Sequence, residues 1–322
     1  MAFLRGILVL ISIIGLAIAG LVFAFSDPDM PADILVTKYG APPSQFIDLP
    51  SGAKVHYRDQ GQKNGMPLVL LHGSNASLHT WEPWAGQLGD QFRIISVDLP
   101  GHGLTGAVPG DDYSQEGMAK FVDLFTRAMG VQRFALAGNS MGGGVAARFA
   151  LMHPERLTHV ILVDAGGMPT KTPQDPGLGF RIARMPVIQN VLLFVSPRSL
   201  FEDGLKKAIV DDALVTPEMI DRYWELNRRA GTRAASLKRF QTPFDTVIAD
   251  NVSKIATPTL ILWGELDTLT PRDMGDAYNA AIKGSRFIVY KNVGHLPMEE
   301  AAEQSARAVR EFLYPTPLPP QD

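Results

Sequence analysis

A serine between glycines lies near the middle of the chain, where it could act as a nucleophile. The apolar run at 134–137 predicts a buried strand and the small residues at 141–151 predict a helix, so 138–142 must reverse the chain in one tight turn. A side chain at either flanking glycine would clash with the strand or the helix. The turn lifts Ser140 clear of the sheet, and the free N–H groups at the start of the helix would stabilise an anionic intermediate beside it.

A histidine is needed to activate this serine, because a hydroxyl is a poor nucleophile until a base removes its proton. The chain has seven histidines. His295 follows the predicted strand at 286–290, which places it at the same edge of the sheet as Ser140, and it comes late enough to complete the order serine, acid, histidine. We therefore predict that His295 is the base, and we interpret His72 and His102 as structural residues.

The base in turn needs a carboxylate that fixes its tautomer and stabilises the imidazolium. Asp267 lies in the loop after the predicted strand at 259–263, one strand before the histidine loop, so the two loop tips should lie side by side. Asp164, which follows the predicted strand at 160–163, and Glu265 could also serve. We predict Asp267 as the acid, with Asp164 as the next candidate.

The tetrahedral intermediate of such a reaction carries an oxyanion that needs two fixed hydrogen-bond donors. The start of the helix supplies the backbone N–H of Met141. The loop after the apolar strand at 67–71 supplies another, for which we predict the backbone N–H of Ser74.

A sheet must position these residues, because short apolar runs alternate with amphipathic helical segments along the chain. This alternation is typical of a mostly parallel sheet with helices on both faces, with catalytic loops at the carboxyl ends of the strands. His72, Asp98, Ser140 and Asp164 each follow a predicted strand and should lie along one edge. Two further runs flank a Pro-Ser-Gly sequence and predict a hairpin at 46–58.

The alternation breaks at 166–252, where prolines are followed by helical segments and no strand is obvious. We interpret 166–252 as a helical cap inserted into the sheet domain, which consists of 46–165 and 253–314. Apolar cap residues could line a substrate pocket or pack the cap onto the core, and they include Phe180, Met185, Val187, Leu192 and Phe194. Residues 315–322 are rich in proline and predict a loose tail.

The N-terminal residues 1–25 predict a membrane anchor. Residues 6–25 carry no charged side chain, and a helix of this length spans roughly 30 Å, the thickness of a hydrocarbon core. Arg5 precedes the segment and Asp27 follows it, so the positive-inside rule places the catalytic domain outside the cytoplasm. The alternative is a signal peptide that is cleaved on secretion. Residues 26–45 contain several prolines and predict a linker.

Composition narrows the possible functions. The net charge of −3 and the lack of a long basic run argue against nucleic acid as a partner and agree with a neutral or hydrophobic small-molecule substrate. The absence of cysteine excludes disulfides, thiolate zinc sites and a cysteine nucleophile. The chain is 46% hydrophobic and 20% charged, which is ordinary for a globular protein with a large core.

Together these features resemble the α/β-hydrolase superfamily over residues 46–313. The motifs that carry the resemblance occur in the family's order and are Leu71-His72-Gly73, Asp98-Leu99-Pro100-Gly101-His102-Gly103, Gly138-Asn139-Ser140-Met141-Gly142-Gly143, 264–267 and Gly294-His295. The resemblance implies a triad of Ser140, Asp267 and His295. It also implies an oxyanion hole from the amides of Ser74 and Met141, a helical lid, and no metal or organic cofactor. Dehalogenases and epoxide hydrolases of similar shape have an aspartate at the nucleophile position, so Ser140 argues against both.

Two groups within the superfamily look similar to this chain. Lipase-like carboxylesterases and hydrolases that cleave carbon–carbon bonds in products of aromatic ring opening both share the Gly-Asn-Ser-Met-Gly-Gly turn and a cap of this size. The second group typically has a glycine-richer loop after His-Gly and a tryptophan after the catalytic histidine, whereas this chain has 74–77 (Ser-Asn-Ala-Ser) and Leu296. We therefore expect an ester hydrolase for a lipid-like or hydrophobic substrate. Carbon–carbon hydrolysis is the alternative, and a catalytically silent binding protein is a third hypothesis.

Overall fold

A mostly parallel sheet is the scaffold for the predicted site. In this computed structural model the described residues are 26–173, 188–242 and 245–314, with short pieces at 5–7, 9, 12–13, 15, 20, 23, 181–182 and 185. The strands within them are β1 Ser44–Asp48, β2 Lys54–Gly61, β3 Pro67–Leu71, β4 Arg93–Val97, β5 Phe134–Asn139, β6 Leu157–Val163, β7 Thr259–Gly264 and β8 Arg286–Tyr290. They form one sheet in the order β1-β2-β4-β3-β5-β6-β7-β8.

The strands that carry the predicted site residues run in one direction. From β4 through β3, β5, β6 and β7 to β8, every neighbouring pair is parallel. At the other edge, β1 and β2 pair with each other and β2 pairs with β4 in antiparallel fashion, which confirms the predicted hairpin. All loops after β3 to β8 therefore leave from the same edge of the sheet.

Helices cover both faces of the sheet. The α-helices of the described residues are α1 Ala32–Tyr39, α2 Glu82–Leu88, α3 Gln115–Ala128, α4 Met141–Met152, α5 Arg198–Ala208, α6 Pro217–Asn227, α7 Thr232–Gln241, α8 Val247–Asn251, α9 Arg272–Ala281, α10 Pro297–Glu300 and α11 Ala302–Leu313. In β3, Val69 and Leu71 belong to a buried cluster with α3 and α4, whereas Leu68 and Leu70 belong to one with α2 and α11. The period-2 alternation of side chains produces these two layers, and the predicted α/β architecture is confirmed.

Two helical segments are divided in the structure. The segment 78–88 begins as a 3₁₀ helix at Leu78–Trp81 and continues as α2, in which Pro83 occupies the first turn, where its missing N–H leaves no hydrogen bond unmade. The last helical segment is split into α10 and α11 by Ala301, whose φ of −123° and ψ of 43° are not helical.

Helices are the regular structure that the described part of the segment between β6 and β7 contains. It contains α5 to α8 and 3₁₀ helices at Ile188–Leu193 and Asp212–Leu214. No strand occurs in the described part of this segment, as its sequence predicts. Its apolar residues Leu205, Ile209 and Ile220 are buried in the same cluster as the β-sheet face that carries Leu68, so the cap packs on the core.

The prediction of a linker at 26–45 is wrong. Residues 32–39 form α1, whose Leu35 is fully buried, and β1 begins at Ser44. Glu225 of α6 accepts hydrogen bonds from Lys38 Nζ at 2.7 Å and from Tyr39 Oη at 2.7 Å. The prolines that suggested a linker lie outside α1, at its start and after its end, where they leave its hydrogen bonds intact.

The two chain ends fall mostly outside the described residues. The predicted tail at 315–322 lies wholly outside them, and so do most residues of the predicted anchor at 1–25. Among the residues that are described, the structure contains no helix with the length and apolar character needed to cross a membrane.

Candidate active site

Ser140 lies in the tight turn that its flanking glycines predict. It joins β5 directly to α4 with φ 55° and ψ −117°, a strained conformation for a residue that is not glycine. A Cβ on Gly138 would collide with the backbone of Gly142, and one on Gly142 would lie 2.6 Å from the carbonyl oxygen of His72. Close backbone packing therefore excludes a side chain at positions 138 and 142.

The structure brings His295 and Asp267 into direct contact. His295 Nδ1 donates to Asp267 Oδ2 at 2.7 Å, and both residues are about 6% exposed. The two loops meet because β7 and β8 are neighbouring parallel strands, as the sequence predicts. With its Nδ1 proton held by the carboxylate, His295 keeps Nε2 free to act as a base.

Asp267 is held as a carboxylate by its own loop. Its Oδ1 accepts from the N–H groups of Leu269 at 2.7 Å and Thr270 at 3.1 Å, and the Thr270 hydroxyl donates to Oδ2 at 2.6 Å. Burial by itself would raise the pKa of Asp267, but His295 and these donors keep it below its ordinary value. The sequence analysis missed Thr270, although an aspartate followed three residues later by threonine is a typical side-chain turn.

Asp164, the alternative acid, lies beside this pair but plays a different part. Its Oδ1 accepts from the N–H of Gly264 at 2.9 Å. Burial, and next the nearby charge of Asp267, raise the pKa of Asp164 well above its ordinary value, which favours its protonated form. The surroundings thus shift the pKa values of the two carboxyl groups in opposite directions.

The same three side chains are the group in the described residues that best matches a metal site. Asp164, Asp267 and His295 each offer one ligand atom, and these atoms lie within 4.8 Å of one another. However, the His295 and Asp267 atoms already share a hydrogen bond of 2.7 Å. The raised pKa of Asp164 also disfavours metal binding, because a metal ligand must be a deprotonated carboxylate. The donor set therefore fits a hydrogen-bonded triad better than a cation.

The predicted oxyanion donors lie on either side of Ser140. Met141 is the first residue of α4, so its N–H has no partner within the helix. Ser74 lines the cavity beside Ser140. A Cβ on the intervening Gly73 would lie 3.1 Å from Ser140 Cβ, so the loop after β3 passes directly against the nucleophile. The structure thus brings all five predicted site residues to one edge of the sheet, while their catalytic roles stay predictions.

Two residues that the sequence analysis did not single out support this arrangement. Asn139 Nδ2 donates to the carbonyl oxygen of His295 at 3.0 Å and so ties the histidine loop to the Ser140 turn. Arg239 of α7 donates to Ser74 Oγ at 2.7 Å, and burial lowers the pKa of this guanidinium to about 10. Neither contact has a local sequence signal, because each joins segments that are far apart in the chain.

The structural interpretation of His72 and His102 agrees with their contacts. His72 Nε2 accepts from the N–H of Leu99 at 3.0 Å and its Nδ1 donates to the carbonyl oxygen of Gly73 at 2.7 Å, so neither nitrogen is available as a base. His102 Nδ1 donates to the carbonyl oxygen of Pro100 at 2.9 Å. Burial lowers the pKa of both histidines, which keeps them neutral.

A cavity of about 520 Å³ opens onto Ser140 and His295. Its apolar wall comes mainly from the cap and includes Leu200, Phe201, Leu205, Leu237 and Phe240. These are not the cap residues that the sequence suggested. Met185 and Phe194 are 41% and 54% exposed, Phe180 and Val187 lie outside the described residues, and the side chain of Leu192 is not described.

The chain is similar in sequence to a known fold family and to characterised hydrolases. The family model for the alpha/beta hydrolase fold matches residues 66–302. A 2-hydroxy-6-oxononadienedioate/2-hydroxy-6-oxononatrienedioate hydrolase of Paraburkholderia xenovorans is 28% identical over 286 residues, which are 84% of this chain and 95% of that protein.

Two solved structures resemble the whole fold. A thermophilic esterase from Thermogutta terrifontis has a TM-score of 0.68 at 29% identity and covers 84% of this chain and 97% of its own. A membrane phospholipase A has a TM-score of 0.74 at 24% identity and covers 96% of this chain and 97% of its own. At that identity the second likeness concerns the fold alone.

We expect Gly142→Ala to destabilise the protein and Gly86→Ala to stabilise it. The new Cβ at 142 would lie 2.6 Å from the backbone oxygen of His72, whereas nothing lies within 4 Å of a Cβ at position 86 in α2. Overpacking costs about 1–3 kcal/mol, and alanine in a helix gains about 1 kcal/mol over glycine. Thermal unfolding of both variants tests this, and an unchanged melting temperature for Gly142→Ala would contradict the close packing.

We expect Asp164→Asn to raise the melting temperature increasingly as the pH rises from 4 to 8. The pKa of Asp164 is higher in the folded protein than in the unfolded chain. Between these two pKa values the folded state binds a proton that the unfolded state does not, so the free energy of unfolding falls as the pH rises through this range. Asparagine removes this cost and can still accept from Gly264, for a gain of roughly 2–4 °C at pH 8.

Asp273→Asn is the matched control with the opposite sign. The pKa of Asp273 is lowered, since donors from Thr170, Lys171 and Thr172 outweigh its burial. Its contribution to stability is present above the unfolded pKa and is lost as the pH falls. The control should therefore lower the melting temperature at pH 8. A pH-independent effect of Asp164→Asn would show that Asp164 is not protonated in the folded state.

Proposed function

The chain belongs to the α/β-hydrolase fold family, and we propose that it is a serine hydrolase in which Ser140, His295 and Asp267 form the catalytic triad. The observation that carries the proposal is the 2.7 Å hydrogen bond between His295 and Asp267, in a cavity that His295 shares with Ser140. A buried imidazole that is bonded to a carboxylate and shares a cavity with a strained serine suits the activation of a serine nucleophile.

The proposed reaction starts when Ser140 Oγ adds to a substrate carbonyl carbon and His295 Nε2 takes the hydroxyl proton. Asp267 stabilises the imidazolium that forms, and the N–H groups of Ser74 and Met141 hold the oxyanion. Collapse of the intermediate breaks the bond beside the carbonyl, and His295 gives its proton to the leaving group. His295 then activates water, which releases the acyl group and restores Ser140.

For the substrate, we propose first a ring-opened compound with a ketone conjugated to a dienol. The Paraburkholderia relative is named for hydrolysis of a hydroxy-oxo-dienedioate. Such a compound contains no ester or amide, so its hydrolysis must break the carbon–carbon bond beside the ketone. The triad described above suits this step once the dienol has tautomerised, with its hydroxyl proton moved to the carbon beside the ketone. The electron pair of the broken carbon–carbon bond then passes through the resulting enone to its oxygen, which takes the proton that His295 gives up.

A carboxylic ester is the second candidate, and the cavity favours it. Its wall is largely apolar, and Leu296, which follows the candidate base, lies in it where the carbon–carbon hydrolases typically have a tryptophan. The Thermogutta terrifontis protein, at 29% identity, is named an esterase. A hydrophobic acyl chain would gain about 25 cal/mol for each Å² that it buries against such a wall.

We expect Ser140→Ala to lower kcat by about 10³-fold or more and to abolish labelling by a fluorophosphonate probe. Ser285→Ala, in the loop before β8, serves as the control and should keep the parental kcat and the labelling by the probe. Circular dichroism of the two variants must match the parent protein. Turnover by Ser140→Ala at the parental rate would refute the assignment, and a folded parent protein that does not label would favour the silent binding protein.

A substrate panel separates the two candidate reactions. Ring-opened dienones are followed by loss of their visible absorbance, and p-nitrophenyl esters of increasing chain length by release of nitrophenolate. The first candidate predicts a higher kcat/KM for the dienones. A preference for the esters would favour the second.

We also propose that residues 1–25 anchor the protein in a membrane, with the catalytic domain outside the cytoplasm. The uncharged run at 6–25 and the following Asp27 support this proposal. We expect the full chain to sediment with membranes after an alkaline wash and to be cleaved by a protease added from outside the cytoplasm. Release of a shortened chain into the medium would instead indicate signal cleavage and secretion.

A further inference from the structure

The backbone that carries His295 is held by acceptors on both sides of the residue. The N–H of Gly294 donates to Glu300 Oε1 at 3.0 Å, and the N–H of Leu296 donates to the same oxygen at 3.3 Å. Between them, the N–H of His295 donates to the carbonyl oxygen of Ala208 at 2.7 Å. Three consecutive N–H groups around the candidate base therefore depend on one carboxylate and one carbonyl oxygen.

Both acceptors connect the histidine loop to the cap. Ala208 is the last residue of α5, and its carbonyl is one of those that a helix end leaves without an intrahelical partner. Glu300 Oε2 accepts from the N–H of Val210, two residues after the end of α5, at 2.8 Å. The Glu300 carboxylate thus bridges the backbone around His295 and the backbone at the end of α5.

The contacts of Glu300 go beyond ordinary helix capping. The bond from Leu296 alone would be a local contact at the start of α10, which Glu300 ends. Gly294 lies before that helix and Val210 belongs to the cap, 90 residues away in sequence from Glu300. The cap also packs so closely here that a Cβ on Gly294 would collide with the carbonyl oxygen of Ala208.

We propose that Glu300 is a positioning residue for the reaction. It holds the His295 backbone in the position from which the imidazole can act with Asp267 and Ser140, and it links that position to the end of α5. Glu300 does not touch the substrate, since it is absent from the residues that line the cavity in the described structure. The proposal rests on the proposed function, in which His295 is the base. A displacement of about 1 Å at such a base can cost about 10²-fold in rate.

Two substitutions separate the two halves of the bridge. Glu300→Ala removes every bond of the carboxylate, and we expect kcat to fall about 100-fold with KM within about twofold of the parent value. Glu300→Gln keeps one carbonyl oxygen for Gly294 and Leu296 but turns an amide N–H₂ toward the N–H of Val210. It should lower kcat by about 3-fold to 10-fold. Glu303→Gln is the control, because Glu303 is exposed and pairs with Arg307 on α11.

Amide hydrogen exchange supplies a readout that does not need turnover. Exchange at 294–296 should be faster in Glu300→Ala and near the parent rate in Glu300→Gln, while exchange at Val210 should be faster in both. The control Glu303→Gln should change the exchange rate neither at 294–296 nor at Val210. Activities are compared at a temperature where circular dichroism shows each variant folded.

Any one of three results for Glu300→Ala would overturn the proposal. They are a kcat within twofold of the parent value, amide exchange at 294–296 at the parent rate, and a loss of kcat that the unfolded fraction of the variant fully explains. Failure of the parent protein to react with the fluorophosphonate probe would instead overturn the proposed function, and the exchange rates would still decide whether Glu300 holds the loop.

Discussion

The buried hydrogen bond between His295 and Asp267 is the interaction on which the rest of the site depends. Removing a carboxylate from water costs several kcal/mol unless other donors replace the water. Here the replacements are His295, the Thr270 hydroxyl and two N–H groups of the same loop. The neighbouring Asp164 lacks such a set of donors, and its pKa is raised instead. The surroundings of the two buried acids therefore favour the charged form of Asp267 and the neutral form of Asp164.

Close approach of backbones is what allows these loops to converge. Gly73 passes against Ser140, Gly142 against the end of β3, and Gly264 against the backbone of Val293 and Gly294. At each of these positions a Cβ would lie closer than van der Waals contact to a neighbouring segment. Parallel strands bring the loops to one edge, and the glycines then let them meet at hydrogen-bond distance.

The cap does more than cover the cavity. Arg239 contacts Ser74, Asn227 donates to the carbonyl oxygen of Asn75 at 2.7 Å, and the end of α5 contacts the histidine loop. The loop of the predicted oxyanion donor and the loop of the candidate base are therefore both bonded to the cap. Since the cap also supplies most of the apolar wall, the same helices line the cavity and contact the loops of the candidate site.

The sequence by itself determined the sheet architecture, the turn at Ser140 and the position of His295 after β8. These features follow from local sterics and short-range periodicity, and each of these signals lies within one short stretch of the sequence. It predicted Asp267 as the acid but left Asp164 as an alternative, because both follow a strand at the same edge, and it missed α1 as a packed helix. Only the tertiary structure showed which carboxylate pairs with His295, the packing of α1, and the contacts of Thr270 and Glu300. Charge state and pairing in a buried site depend on desolvation and on contacts between distant segments, such as Glu300 with Val210, and no local pattern encodes them.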